Sequence, residues 1–147
     1  MSLWDWTLKA YGRPGVPEAC LVLQDAHGQN TSLLLWAIWA EAADPARLGG
    51  AAKLARAWEA EALAALRAVR RALKAPLPPV SDHAREALRE DVKACELRAE
   101  RLLMETLEDL GPERSGAPAL TALKAASAAW GHPAPDDALA TLAAALD

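Results

Sequence analysis

The sequence predicts an all-α protein. The expected architecture is a single-domain bundle of five to seven helices, in which a long antiparallel helix hairpin, about 51–75 and 82–110, packs on three shorter N-terminal helices. Three observations carry this expectation. Ala fills 36 of the 147 positions and Leu 24, whereas Val, Ile and Thr together fill 11; β-branched residues suit strands, so their scarcity disfavours sheet. Pro and Gly cut the chain into segments of helical length. Within those segments apolar residues recur three and four apart, the period of one helix face.

The elements follow in order. Ser2 and Asp5 resemble a capping box, which starts a first helix running to Tyr11. Gly12-Arg13-Pro14-Gly15 is a turn. Val16 to His27 reads as a second helix with Pro17 in its first turn, where a missing N–H is harmless, and Gly28 suits the end of it. Asn30 is a natural N-cap for a third helix, Thr31 to Ala43. Its run Leu33 to Ala40 is apolar on every face, the mark of a buried helix. Asp44-Pro45 through Gly49-Gly50 reads as a connection. In the first hairpin helix Leu54, Trp58, Ala62, Leu66, Val69 and Leu73 share a face, with Lys53, Arg56, Arg67, Arg70, Arg71 and Lys74 on the solvated side. Pro76 to Pro79 ends that helix. In the second, Leu88, Val92, Cys95, Ala99, Leu102 and Thr106 repeat at 4-3-4-3-4 spacing, the seam of a helix packed lengthwise on another. Gly111-Pro112 to Gly116 is a loop, and two Ala-rich helices, 118–130 and 135–146, form a loosely packed tail.

Charge is uneven. Residues 1–50 carry 3 basic and 5 acidic groups, 51–114 carry 12 of each, and 115–147 carry 1 and 3. The ionic content therefore belongs to the hairpin. A net charge of −4 and a basic stripe without interleaved aromatics argue against nucleic acid. No apolar run approaches the roughly 18 residues of a membrane span. The segment Met1 to Trp6 lacks the basic and apolar parts of an export signal, so a cytoplasmic protein is expected. Cys20 and Cys95, neither in a CxxC, read as small buried hydrophobes.

The stretch Gln24-Asp25-x-His27-Gly28-x-Asn30 is the leading candidate site, because helix ends and tight turns are where scaffolds present functional groups. His27 has the chemistry of an acid or base, with Asp25 or Gln24 to orient it. A pocket reading adds Asn30, Trp36 and Trp39 as lining, with Arg70, Glu96 and Glu100 opposite. The competing reading is that Gly28 and Asn30 only cap. Glu61 is a further candidate for a buried carboxylate. Glu96 and Glu100 are expected to pair with arginines across the hairpin. His27, His83 and His132 lack metal-ligand spacing, and no Glu-x-x-His is present, so no metal and no cofactor are expected. Nucleophile, phosphate-loop and dinucleotide motifs are also missing.

One set of motifs is specific. Leu3-Trp4-Asp5-Trp6, Arg13-Pro14-Gly15-Val16, Leu23-Gln24-Asp25 with His27-Gly28 and Asn30, and Leu33 to Trp36 resemble a small family of uncharacterised proteobacterial proteins. That family is known only as a conserved hypothetical domain of unknown function. Weaker likeness extends through Trp58, Val69 to Lys74 and Glu96 to Glu100, covering about residues 3–110. The resemblance implies a small, largely helical protein and no particular chemistry. The sequence thus leans away from an enzyme. It favours a protein-interaction or self-associating module, and the alternative is an enzyme or small-ligand binder with its polar site at Gln24, Asp25, His27 and Asn30.

Overall fold

The computed structural model describes residues 1–111 and 113–147. Among the described residues there are helices and no strands. The elements are α1 (Leu3–Tyr11), α2 (Val16–Asp25), α3 (Thr31–Trp39), α4 (Pro45–Trp58), a π-helical turn (Glu59–Leu63), α5 (Ala64–Ala72), α6 (Asp82–Leu110), α7 (Ala119–Trp130) and α8 (Asp136–Leu146). α4, the π turn and α5 run on without a break in helical backbone, so the described residues form seven rods. Of the loop expected at 111–116, Pro112 lies outside the described residues.

The helix starts follow their caps. The side chains of Ser2, Asn30, Asp44 and Ser81 each accept the N–H three residues on. Asp44 corrects the expected connection: with Pro45 in the first turn it starts α4 at once, and Gly49 and Gly50 lie inside the helix. α3 is the centre of the core, as an all-round apolar helix must be; Leu33, Leu34, Leu35, Trp36 and Ala37 are buried. It ends at Trp39, earlier than expected, and Glu41 follows in the left-handed region at φ 49°.

The tail corrects a second expectation. α7 lies against both α3 and α4 and buries Ala122, Leu123 and Ala126 completely. α8 packs on α2 and adds Leu139 and Leu142 to the core. Its Ala-rich surface lets it approach closely, which an apolar count undervalues.

The hairpin corrects a third. α6 has the expected bounds, but its buried face is Arg85, Glu96, Ala99, Leu103, Met104 and Leu107. Leu88 and Leu102 are 51% and 53% exposed, and Cys95 is exposed rather than buried. On the partner rod the buried residues are Leu48, Ala51, Ala52, Ala55 and Leu63, while Val69 is 46% exposed. The physical reason is twofold. The π turn places one more residue in a turn than an α-helix does, which shifts the phase of everything after it. The seam is also largely polar. Arg70 Nε donates to Glu96 Oε2 at 2.6 Å, and Arg85 donates to the carbonyl oxygens of Leu73 and Lys74 at the end of α5. A cation at a helix C-terminus is favourable, and an apolar count cannot see such a seam. Arg67 and Arg70 are thus half-buried rather than solvated.

Candidate functional site

The 24–30 stretch divides into three environments. Asn30 caps α3: its Oδ1 accepts the Leu33 N–H at 2.9 Å. Gly28, at φ 61°, turns the chain so that its carbonyl accepts Trp130 Nε1–H at 2.8 Å. Gln29 is buried and clamps the tail. Its Nε2 donates to the carbonyls of His27 and His132 at 3.0 and 2.8 Å, and its Oε1 accepts the Ser127 hydroxyl at 2.7 Å. Ser127 Oγ in turn accepts the Ala134 N–H at 2.8 Å. These residues hold α7 on α3.

His27 is separated from its expected partners. It lies in an open groove of about 590 Å³ between α2 and α8, with Glu18, Ala19, Val22, Asp137 and Thr141. Gln24 and Asp25 instead face a second cleft, of about 260 Å³, whose far wall is Glu59, Ala64, Arg67 and Arg71. Asp25 sits 3.5 Å from Arg71. The π turn builds that far wall, since it turns Glu59 and Arg67 to the same side, where Arg67 donates to Glu59 at 2.6 Å. Arg67 Nε lies 3.6 Å from Glu96 Oε1, too long for a hydrogen bond, and is buried without a partner.

Behind this wall the ionic network continues. Glu96 is held by Arg70, as the sequence expects. Glu100, one turn on, is pushed up to about 7 by burial, and further by Glu96, against the opposing pull of Arg67 and Arg70. Tyr11 is partly exposed, but burial of its hydroxyl, near Cys20 and Glu100, raises its pKa. Burial also pushes the Cys20 thiol up to about 11. Among the described residues no group of three metal-ligating side chains occurs. Trp36 and Trp39 belong to the core and line neither concavity; Arg47 lies over the Trp36 ring at 5.4 Å. Glu61 is exposed. Sequence reasoning missed Gln29, Glu59 and Tyr11, and saw Arg67 only as one possible partner for the acids of α6. The i, i+4 spacing of Arg67 and Arg71 was readable, but the inward turn at Glu59 was not.

A second feature lies on the opposite side of the hairpin. The helices α1 and α2 occupy one side, where Leu3 N–H bonds Glu108 at 3.2 Å and Asp25 meets Arg71. On the other side the expected α6 seam is mostly exposed, while the expected α4/α5 seam is partly packed on the core. Leu54, Ala62, Leu66 and Leu73 are half-buried and Val69 exposed, while along α6 Val92 is half-buried and Leu88, Cys95, Leu102 and Thr106 are exposed. A groove of about 200 Å³ between Leu54, Trp58, Leu102, Leu103 and Thr106 joins the two stripes. Trp58 fixes its floor, donating from Nε1 to the Ala99 carbonyl at 2.9 Å.

Among the described residues the fold is all-helical, with a polar cleft beside Gln24 and Asp25 and an apolar face on α6. The chain belongs to the family described as a protein of unknown function, DUF2390, whose model matches residues 2–107. That span contains the polar cleft and both stripes; α7 and α8 fall outside it. No curated protein and no solved structure matches the chain.

Proposed function

We propose that this chain is a non-enzymatic protein-docking module whose docking surface is the outer face of the α4/α5–α6 hairpin. The observation that carries this reading is the apolar stripe of α6. The stripe of Leu88, Cys95 and Leu102 has the period of a packed helix seam and is exposed, and Leu54 and Trp58 of α4 border it at the groove by Leu102 and Thr106. Large contiguous apolar patches on a soluble fold mark places where a partner sits. The test is photo-crosslinking in the expressing cell, with a photoreactive residue replacing Leu88 or Leu102. Leu97, equally exposed but on the opposite side of α6, is the control. Adducts from 88 and 102 but not from 97 are expected. No adduct, or equal adducts at all three positions, overturns the reading.

A specific observation favours a second reading. The unpartnered Arg67 Nε beside a cleft shared by Gln24, Asp25, Glu59 and Arg71 suits a small polar ligand that carries an anionic group next to a hydrogen-bond donor. Arginine forks favour carboxylate and phosphate. Free glutamate and inorganic phosphate are the probes. A rise in Tm that Arg67→Gln abolishes supports this reading, and no shift with either probe ends it.

A further inference from the structure

Taking the docking reading as its basis, we infer that the partner on the hairpin face is a second copy of this chain, set antiparallel across a two-fold axis that passes by Cys95. The first argument is the stripe's own symmetry. Leu88, Cys95 and Leu102 are spaced seven apart on one face of α6, two turns each. A two-fold near Cys95 places Leu88 opposite Leu102 of the second copy at both ends and the two thiols together at the middle. An isologous interface requires this self-complementarity.

The second argument is charge. Most ionic side chains around the stripe find partners inside the chain: Lys93 pairs with Glu90, and Arg101 with Glu105. Asp91 and Arg98 are exposed, and among the described residues neither forms an ion pair. They lie on the same flank of the stripe, four residues before Cys95 and three after it. The same two-fold therefore brings Asp91 of each copy to Arg98 of the other, two cross-interface pairs from two residues that have none at home. In antiparallel helix pairs such flanking charges set orientation. A parallel arrangement would put these flanks on opposite sides of the seam, where neither residue meets its counterpart.

The third argument is size. From Leu88 to Thr106 the face is about 27 Å long at the helical rise, and it is two helices wide at about 9 Å between axes. That gives about 500 Å² of face per copy and about 1,000 Å² in the pair, about the minimum for a biological interface and the size of a weak, concentration-dependent dimer. The Trp58 and Leu102 groove supplies the kind of pocket into which an apolar anchor from the other copy fits.

The experiment is sedimentation velocity on the full chain over a range of concentrations, run for the parent, Leu102→Glu, Asp91→Arg, Arg98→Asp and the double swap. A dimer is expected for the parent. Leu102→Glu is expected to sediment as a monomer with an unchanged helical melt, because the residue is exposed in the single chain. Each single charge swap is expected to weaken the dimer several-fold, and the double swap to restore it. Copper–phenanthroline oxidation is expected to give a disulfide-linked dimer that Cys95→Ser abolishes. A parent that stays monomeric at the highest concentration overturns the inference, as does a dimer that survives Leu102→Glu or a double swap that does not recover. The docking reading fails separately. A monomer that still crosslinks from position 88 to a different protein removes the second copy and leaves the docking surface, whereas a monomer without adducts removes both.

Discussion

Glu100 is a side chain whose ionisation the fold opposes. Its carboxyl is pushed from an ordinary 4.5 up to about 7, mainly by burial, so the folded chain holds a proton that the unfolded chain has already released. A raised folded pKa means that the stability is fully present below about pH 4.5, is lost as pH rises through about 7, and is level above that. Glu100→Gln keeps the shape and removes the titration. The variant is expected to match the parent in thermal melts at pH 4 and to exceed it at pH 8, by on the order of 2 kcal/mol. An equal gap at both pH values would place the effect elsewhere. The thiols separate in the same way. Cys95 is exposed and Cys20 buried, with the Cys20 thiol pushed up to about 11. A thiol reagent at neutral pH is therefore expected to label Cys95 but not Cys20 in the dissociated native chain, with labelling slowed where the chain pairs, and two labels would contradict the burial of Cys20. At this scale the sequence was legible where a residue acts locally. Asn30 caps as its position says, and Ser2 and Ser81 do likewise. It was opaque where a residue acts at a distance: nothing near Gln29 signals that its amide reaches Ser127, 98 residues away.

Among the elements, the rod formed by α4, the π turn and α5 differs most from its reading. A run of Ala, Leu and Arg gave a helix, and a helix is present. Its phase did not follow from the pattern, because a π turn preserves the helical axis while rotating all that comes after it. The seam of α6 was misplaced for a related reason. A stripe of Leu88, Cys95 and Leu102 outweighs Arg85 and Glu96 on any apolar scale, yet the ion-paired face is the one the chain buries. The start of α4 offers a direct check. Gly49 and Gly50 are exposed inside the helix, and a Cβ added at either meets nothing within 4 Å. Glycine in a helix costs about 0.5–1 kcal/mol relative to alanine. Gly49→Ala and Gly50→Ala are each expected to raise stability by about that amount in urea melts, with additive effects, and a loss at either position would mean that the backbone there is not helical in solution.

For the whole molecule, the core belongs to both ends of the chain. The family model stops at residue 107, but α3 is covered by α7, and the Gln29 and Trp130 bonds lock that cover in place. A chain ending at Leu110 leaves Leu33 to Ala37 without their lid. It is expected to keep much of its helical circular dichroism while losing a cooperative melt and gaining affinity for a hydrophobic dye; a sharp melt would show that the tail is dispensable. The all-helical class was legible from composition and spacing, and the long hairpin from its Pro-rich hinge. The importance of the tail was not, because close packing of alanines leaves no strong pattern. That same lid has a consequence for how the protein is made. Translation proceeds at roughly 5–20 residues per second, so the ribosome needs about ten seconds after completing α3 to release the segment that shields it. During that interval a fully apolar helix is present on a growing chain with its cover unsynthesised. Biosynthesis, more than equilibrium stability, is then the stage at which this fold depends on chaperones, and slower growth at lower temperature, which weakens hydrophobic association of exposed nascent chains, is the natural condition for its soluble production.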